Sequence, residues 1–192
     1  MDDFLFDVFS QNALLVDTET TGLTLEDEMV EIGLLLFQFN RDSGEILAIL
    51  DEYCGLREPK STVNQGAQAV HGIPAEMLKG KSFDDAKIKR MIGQTEILIA
   101  HNVEFDRPFV TKLYPEAGEK DWYCSMSGVG WKKKGFINRK LQYLIKEHQI
   151  VIGQAHRALD DVKGTFDLLR KTDKETSKPY LVELIKNGPF QL

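Results

Sequence analysis

Two carboxylates separated by one residue follow an apolar run near the start of the chain. Asp17 and Glu19 come directly after residues 13–16, whose run Ala-Leu-Leu-Val suits a buried strand. Alternate side chains of a strand point to one face, so the two acids should lie side by side. Burying such a pair is costly unless a divalent cation lies between the two groups, and Mg²⁺ prefers carboxylate oxygens. The simpler interpretation is a strand that ends in a turn with two solvated acids.

A further acid, Asp106, falls where the pattern changes from strand to helix. Asn102 is predicted to cap this helix, and the helix dipole favours an acid near its first turn. That explanation for Asp106 is purely structural. The functional one is a third carboxylate at the sheet edge where sites of α/β proteins form. His101 could be a ligand, although a hydrogen-bonded structural histidine is commoner at a strand end.

The segment from His156 to Asp161 is predicted to open the last long helix. Asp161 lies on the flank of the helix's apolar stripe, whereas Asp160 lies opposite the stripe and is expected to face water. Asp161 is therefore the predicted fourth acid. His156 should precede the helix and reach the site from a loop, which suits a general base more than a metal ligand. The alternative is a surface histidine beside a helix start.

Taken together, the three motifs resemble those of the DEDD superfamily of 3′→5′ exonucleases, histidine subclass. The likeness is greatest to the proofreading epsilon subunits of bacterial DNA polymerase III, and it covers residues 13–169 in the same order and spacing. Residues 70–73, Val-His-Gly-Ile, resemble a further segment of that family. The motifs are Asp17-Thr-Glu19-Thr-Thr-Gly, His101-Asn102-x-x-Phe105-Asp106 and His156-Arg-Ala-x-x-Asp161.

This resemblance implies an α/β, ribonuclease H-like fold with a mixed five-stranded sheet flanked by helices. It implies a single-stranded 3′ end as substrate, DNA rather than RNA, and either a DNA polymerase as a partner or, as the alternative, a free-standing exonuclease. The product would be a nucleoside 5′-monophosphate. Two divalent metal ions would be bound, Mg²⁺ with Mn²⁺ as a substitute, and His156 would activate water. The implied metal ligands, which are also catalytic, are Asp17, Glu19, Asp106 and Asp161.

The resemblance also implies which residues contact the terminal nucleotide. Phe105 and His71 would pack against bases, because aromatic stacking tolerates any base. A helix-core role for Phe105 and helix capping for His71 are the alternatives. Residues at the end of the first motif would meet the nucleotide through backbone groups. The predicted set is Thr20, Thr21, Gly22, His71, Asn102 and Phe105.

Three other functions would use the same residues or the same fold. An RNA 3′ exonuclease of the superfamily would share the acids and the base, because recognition of the 2′-hydroxyl decides between the two substrates. An inactive nucleic-acid-binding module would keep the fold without turnover, although the presence of all five candidate catalytic residues argues against it. An endonuclease on a ribonuclease H-like fold would cleave a circular strand.

The composition is that of a globular protein whose overall charge does not attract nucleic acid. The net charge is −6 over 192 residues, so binding would need a local patch, bound metal or delivery by a partner. One basic cluster, Trp131-Lys132-Lys133-Lys134, lies in a glycine-rich stretch, and a solvated loop is its commoner interpretation. Cys54 and Cys124 are expected to be packed thiols. No apolar run could span a bilayer and the N-terminus lacks a secretory signal, so we expect a cytoplasmic protein with no membrane partner.

Strands followed by alternating helices and strands predict the α/β class. We divide the chain into an extension at 1–10, an exonuclease domain at 11–172 and a tail with a short helix at 173–192. Phe4, Phe6 and Phe9 are expected to pack on the domain surface. The predicted strands are 11–16, 29–39, 45–53, 97–101 and, at an edge, 122–126. The predicted helices are 64–71, 74–78, 82–92, 104–114, 138–148, 159–170 and 179–186.

Overall fold

A mixed five-stranded sheet forms the centre of the computed structural model, which describes residues 9–191. The strands are β1 (Ser10–Thr20), β2 (Met29–Asn40), β3 (Ile46–Leu56), β4 (Ile97–Ala100) and β5 (Asp121–Cys124). Their order in the sheet is β3-β2-β1-β4-β5. β2 runs antiparallel to its neighbours β1 and β3, whereas β4 is parallel to both β1 and β5. The predicted α/β class and mixed five-stranded sheet are therefore confirmed.

Helices cover both faces of this sheet. They are α1 (Gln65–His71), α2 (Ala75–Leu78), α3 (Asp85–Gly93), α4 (Val103–Leu113), α5 (Ser125–Gly128), α6 (Leu141–Glu147), α7 (Ala158–Arg170) and α8 (Tyr180–Asn187). The side chains of α3 and α4 pack into the core on one face. Those of α6, α7 and α8 pack into the core on the other face.

The apolar run in β1 explains why two cores form. Leu14 and Val16 point into the core with α3 and α4, while Ala13 and Leu15 point into the core with α6 and α7. All four are buried. A strand covered on both faces needs an almost continuous apolar sequence, and this requirement places β1 in the middle of the sheet.

Several predicted boundaries are corrected by local hydrogen bonds. β1 does not end before the first acidic pair but continues to Thr20, because it stays paired with β2 and Glu19 lies opposite Glu31. The predicted edge strand 122–126 ends at Cys124. The helix α5 follows at once, because the backbone N–H of Met126 turns back to the carbonyl of His101.

Two helix starts also differ from prediction. Asp84, not Ser82, caps α3, since its side chain accepts a hydrogen bond from the N–H of Lys87 at 2.9 Å. The helix predicted at 138–148 begins only at Leu141. The Asn138 side chain there accepts from the N–H of Lys140, and this bond forms a turn before the helix.

The ends of the chain and the cysteines give mixed outcomes. Phe9 is 42% exposed, so its packing on the domain surface stays a prediction, and Phe4 and Phe6 lie outside the described residues. The helix α8 packs into the same core as α6 and α7, while the domain boundaries themselves stay a prediction. Cys124 is buried as expected, but Cys54 is exposed. Among residues 9–191 no helix is long and apolar enough to cross a membrane, and the cytoplasmic location stays a prediction.

Candidate active site

One open pocket of about 690 Å³ collects all five predicted catalytic residues at the carboxyl ends of β1 and β4. Two of the acids come from the end of β1. A third comes from the first turn of α4, which follows β4, and a fourth from the first turn of α7. The five catalytic candidates among the lining residues are Asp17, Glu19, Asp106, His156 and Asp161.

Asp106 is fixed by the strand that carries the first acidic pair. One of its oxygens, Oδ1, accepts hydrogen bonds from the backbone N–H of Thr18 at 3.0 Å and from its hydroxyl at 2.9 Å. These bonds join α4 to β1 across 88 positions of sequence. Their effect is to hold the Asp106 carboxylate beside the neighbours of Thr18 on β1.

Asp161 is fixed by residues on two sides. Its Oδ1 accepts a hydrogen bond from the side-chain amide of Gln142 at 2.7 Å, and its Oδ2 accepts one from the backbone N–H of His156 at 3.1 Å. Gln142 belongs to α6 and also lines the pocket. Sequence reasoning missed Gln142, since its partner is 19 positions away and no spacing rule connects them.

His156 occupies the loop before α7, as predicted. Its backbone adopts a left-handed conformation with φ of 59°, and its side chain is exposed. One ligand atom each from Glu19, His156 and Asp161 can lie within 4.8 Å of the other two. This distance allows His156 to serve as a general base beside a metal or as a ligand, so its predicted role as a base stays a prediction.

Burial and mutual repulsion make the four carboxylates hard to ionise together. The pKa of Glu19 is raised to about 8, first by burial and then by nearby carboxylates, of which Asp161 acts most strongly. Burial raises the pKa of Asp106 to about 7, although three hydrogen bonds, two of them from Thr18, oppose the shift. The pKa values of Asp17 and Asp161 are also raised, chiefly by burial. The pocket therefore favours a bound cation or retained protons.

The donor set fits divalent cations. Carboxylate oxygens, with an imidazole nitrogen close by, suit Mg²⁺ and Mn²⁺. Arg157 offsets the charge of the pocket only slightly: it forms a salt bridge with Glu31 at 2.6 Å, and its effect on the pKa of Glu19 is smaller than that of the neighbouring carboxylates. A cation bound between the carboxylates would remove the repulsion that raises their pKa values. The residues that could hold it are Asp17, Glu19, Asp106, His156 and Asp161.

A buried acid beneath the pocket holds the start of α7. Glu31 is fully buried, and its carboxylate accepts from Nε and Nη2 of Arg157 and from the backbone N–H of Ala158. On the same strand, Gly33 allows the backbone of Ala158 to approach closely. The sequence did not predict these hydrogen bonds from Arg157 and Ala158 to Glu31, which are called the brace below. The available signal was a charged residue inside an otherwise apolar strand, since such a residue needs a buried partner.

Asp160 differs from its predicted environment. It is half-buried rather than water-facing, because its carboxylate accepts a hydrogen bond from the backbone N–H of Gln154 at 2.9 Å. It does not line the pocket, whereas Asp161 does. The loop before α7 folds back over the helix start and creates this environment, which helical periodicity alone does not describe.

Five of the six predicted nucleotide-contact residues line the pocket. Thr21 does not, because it is fully buried and its hydroxyl donates to Asp27 at 2.9 Å. Asn102 makes no side-chain cap bond, contrary to prediction, and belongs to the pocket wall. The residues that do line the pocket are Thr20, Gly22, His71, Asn102 and Phe105.

The two aromatic candidates and His101 have different environments. Phe105 is half-buried, packs against Phe109 and lines the pocket, so it has both a core contact and an open side. His71 is buried, ends α1, and its Nδ1 accepts from the N–H of Ile73. His101 bonds Ser125 and a backbone carbonyl, and burial lowers its pKa to about 4. His101 is thus the hydrogen-bonded structural histidine that the sequence favoured.

Comparison with known proteins agrees with this geometry. Residues 14–169 match the RNase_T family model, described as exonuclease. The chain belongs to the RNase_T exonuclease family. This match contains every acid and the histidine of the pocket, and it confirms that the chain is of an enzyme family.

Relatives of this RNase_T exonuclease include much longer proteins. The DNA polymerase III PolC-type of Thermotoga petrophila is 28% identical over 168 residues, which cover 83% of this chain and 12% of that protein. The 3′-5′ exonuclease DinG of Staphylococcus aureus is 24% identical over 172 residues, covering 81% and 17% respectively. The chain therefore spans only a small part of these relatives.

Solved structures share the fold and confirm it as that of ribonuclease H-like exonucleases. Exonuclease X in complex with 5′ overhanging duplex DNA has a TM-score of 0.62 and 23% identity, covering 88% of this chain and 99% of that chain. E. coli Exonuclease I in complex with a dT13 oligonucleotide has a TM-score of 0.66 and 18% identity, covering 86% and 42%. A 3′-exonuclease that recognises a histone mRNA stem-loop has a TM-score of 0.57 and 16% identity, covering 82% and 79%.

The brace beneath the site of this RNase_T exonuclease gives a direct prediction. Glu31→Gln should lower kcat about 10–100-fold with a smaller change in KM, because losing an outer support of a metal site typically has effects of this size. Steady-state kinetics on an oligonucleotide would measure both constants. Glu52→Gln, which removes an acid of the neighbouring strand β3 paired with Lys163, is the control. An unchanged kcat in the Glu31 variant would mean that the brace does not position the site.

The adjacent aspartates of α7 should differ sharply in effect. We expect Asp161→Ala to abolish turnover, because it removes a pocket carboxylate. Asp160→Ala should leave kcat nearly unchanged and cost about 1 kcal/mol of stability, because it removes one hydrogen bond to the loop. Rates and urea unfolding of the two variants, measured side by side, test this. An inactive Asp160→Ala enzyme with normal stability would show that the wrong aspartate was assigned.

Proposed function

We propose that this chain is a metal-dependent 3′→5′ exonuclease that removes nucleotides one at a time from a single-stranded DNA end. The observation that carries the proposal is the convergence of four carboxylates and His156 in a single open pocket. The raised pKa values of these acids support it, because such a site binds cations and only then accepts an anionic phosphodiester. Membership of an exonuclease family supports the type of reaction.

The chemistry is phosphodiester hydrolysis. Two divalent ions, Mg²⁺ with Mn²⁺ as a substitute, would supply charge that neutralises the phosphate and eases deprotonation of water. Asp17, Glu19, Asp106 and Asp161 would hold them. His156 accepts a proton from the attacking water, whose oxygen bonds to phosphorus. The bond to the 3′ oxygen of the preceding nucleotide breaks, and that oxygen takes up a proton. The products are a nucleoside 5′-monophosphate and a strand with a new 3′-hydroxyl.

The walls of the pocket suit a nucleotide. Phe105 offers an open aromatic face to a base, and stacking of this kind tolerates any base. His71 and Asn102 supply polar edges beside it, and Thr20 and Gly22 bring backbone close to the same space. Recognition without base-specific contacts is what an enzyme that shortens any strand needs.

The preference for DNA and the partner rest on the relatives. The PolC-type relatives are DNA polymerases by name, and Exonuclease I is described with a DNA oligonucleotide. We extend the proposal to a DNA polymerase as a partner that would deliver mispaired 3′ ends. The likeness to a 3′-exonuclease that recognises histone mRNA supports RNA as the second candidate substrate.

Degradation of 5′-labelled strands tests the proposal. DNA and RNA strands of one sequence are incubated with Mg²⁺, with Mn²⁺ or with EDTA, beside a circular single strand. We expect a metal-dependent ladder that shortens from the 3′ end, faster on DNA, and no cleavage of the circle. A faster RNA ladder would reassign the substrate, and cleavage of the circle would indicate an endonuclease. No product with either metal, despite binding, would favour the inactive binding module.

Removing the proposed base should slow the reaction without weakening metal binding. We expect His156→Ala to lower kcat about 10²–10⁴-fold, the usual contribution of general base catalysis. Calorimetric titration of Mn²⁺ into the variant separates a base from a ligand, since a base leaves the metal affinity intact. His148→Ala is unsuitable as a control because His148 packs against Trp131 in the core. Asp160→Asn, next to the site but outside the pocket, serves instead.

A further inference from the structure

Five cationic side chains are concentrated in the segment 132–140, here called the basic segment. It joins α5 to α6 in a chain whose net charge is −6. On a protein with net negative charge, a local positive surface attracts an anion to that place. The proposal developed from this segment rests on the proposed exonuclease function.

One of the five cations is already neutralised, and four are not. Lys134 forms salt bridges with Asp173 at 2.7 Å and with Glu183 at 2.8 Å, and its side chain is mostly buried. The other four are exposed and take part in none of the salt bridges found within residues 9–191. They are Lys132, Lys133, Arg139 and Lys140.

The basic segment is anchored at both ends. Trp131, directly before it, is fully buried, and its indole N–H donates to the carbonyl of Ser125 at 2.8 Å. This burial rules out Trp131 as a stacking platform. At the other end, the carbonyl of Arg139 bonds Nε2 of His101 at 2.8 Å. His101 precedes the pocket residues of α4, so the cations are held in a defined relation to the site.

The segment reaches the catalytic pocket itself. Lys140, its last residue, lines the pocket together with the carboxylates. The next residues of α6 include Gln142, which bonds Asp161. Of the four free cations, Lys140 lines the pocket and Arg139 directly precedes it in sequence, whereas Lys133 lines a separate pocket beside α8. A strand whose 3′ end occupies the catalytic pocket would therefore meet Lys140 at the pocket wall.

We propose that the basic segment binds the phosphates of the substrate strand upstream of the bond that is cut. The four carboxylates of the pocket repel a polyanion, and cations bound among them act only near the terminal bond. Lys132, Lys133, Arg139 and Lys140 supply attraction for the nucleotides behind it. Such contacts release counterions, so binding depends on salt with a slope of about 0.7 per phosphate on a single strand.

Neutralising the segment tests this proposal. The variant Lys132→Gln/Lys133→Gln/Arg139→Gln leaves Lys140 and the Lys134 salt bridges in place. Its matched control is Lys79→Gln/Lys81→Gln/Lys89→Gln, which removes three exposed lysines outside the pocket. Binding of a fluorescent single strand of about 20 nucleotides is measured in Ca²⁺ over a range of salt. We expect a slope lower by about 2 and an affinity about tenfold weaker at low salt, with the control like the original chain.

Hydrolysis of a dinucleotide supplies the second readout. A dinucleotide does not extend beyond the pocket, so KM of the variant should rise much less for it than for the long strand. An equal rise in KM for the dinucleotide and for the long strand would indicate structural damage. An unchanged salt dependence of binding would mean that the basic segment does not contact the strand. Either result overturns the proposal. A third outcome is possible, in which the long strand binds through the basic segment but is not hydrolysed. That outcome would contradict the proposed exonuclease activity while still supporting the basic segment as a strand-binding surface.

Discussion

Asp17→Asn is expected to abolish metal-dependent hydrolysis and, in the absence of metal, to raise the melting temperature. The rate should fall by roughly 10³-fold or more, as when a preorganised electrostatic group is removed from an active site. The stability should rise because burial, and after it the neighbouring carboxylates, oppose the ionisation of Asp17. For a protein of this size each kcal/mol gained corresponds to about 2–4 °C.

The pH dependence of the metal-free protein follows from the burial of these acids and, secondarily, from their mutual repulsion. The pKa values of Glu19 and Asp106 are about 8 and about 7 in the fold, above their ordinary values of 4.5 and 3.8. The folded state therefore binds more protons than the unfolded state between these limits. Its stability is highest at the acidic end of this range and falls as pH rises toward 8. Asp17→Asn should flatten this fall.

Thermal unfolding in EDTA at pH 6 and pH 8 measures both effects, and a repeat with Mg²⁺ measures what the metal adds. Mg²⁺ should stabilise the original chain more than Asp17→Asn, because the variant has lost a ligand. Asp160→Asn is the control, since its carboxylate lies on the same helix as Asp161 but outside the pocket. If Asp17→Asn melted at pH 8 at or below the temperature of the original chain, the carboxylates of the pocket would not destabilise the metal-free protein.

Gly33→Ala should damage both the fold and the reaction. A Cβ at Gly33 would lie 2.5 Å from the carbonyl oxygen of Ala158 and from the amide nitrogen of Leu159. Both are backbone atoms at the start of α7, so no side-chain rotation relieves the collision. We expect a loss of at least 1–3 kcal/mol of unfolding free energy, the usual cost of overpacking. Movement of α7 away from β2 would also displace Asp161 and lower kcat.

Urea unfolding and kcat, measured well below the melting temperature, separate the two losses. Gly93→Ala is the matched control, because a Cβ at Gly93 meets no atom within 4 Å and the residue ends α3. This control should be neutral or stabilised by up to about 1 kcal/mol through helix propensity. Full stability in Gly33→Ala would mean that α7 does not depend on this close approach to β2.

The sequence predicted the architecture because the governing signals are local. The apolar runs of β1 and β2 and the helical periodicity of α7 require only neighbouring residues; they place Asp161 correctly on α7 and put Asp17 and Glu19 side by side, although the predicted strand ended before them. The separation of Asp161 from Asp160 followed from a helical angle alone. The order of the three motifs, through their resemblance to a known family, then predicted that these distant residues meet in one site. Composition and periodicity do not carry that information.

The missed features all depend on contacts between distant residues. Glu31 and Arg157 are 126 positions apart, and Gln142 meets Asp161 only because α6 packs beside α7. The extension of β1 to Thr20 depends on pairing with β2, which local propensity does not report. Asn102 occupies the predicted N-cap position of α4, but its side chain makes no cap hydrogen bond and instead lines a pocket formed by several distant elements.

The central position of β1 in the sheet determines which part of the site unfolds last. β1 is bonded to β2 on one side and β4 on the other, so its central amides should exchange hydrogen only through global unfolding. His156 instead belongs to the exposed loop 153–156, which needs only a local opening of lower free energy. Mild denaturant should therefore release the base while the carboxylates on β1 keep their places. Cation binding would then persist under conditions in which hydrolysis has already stopped.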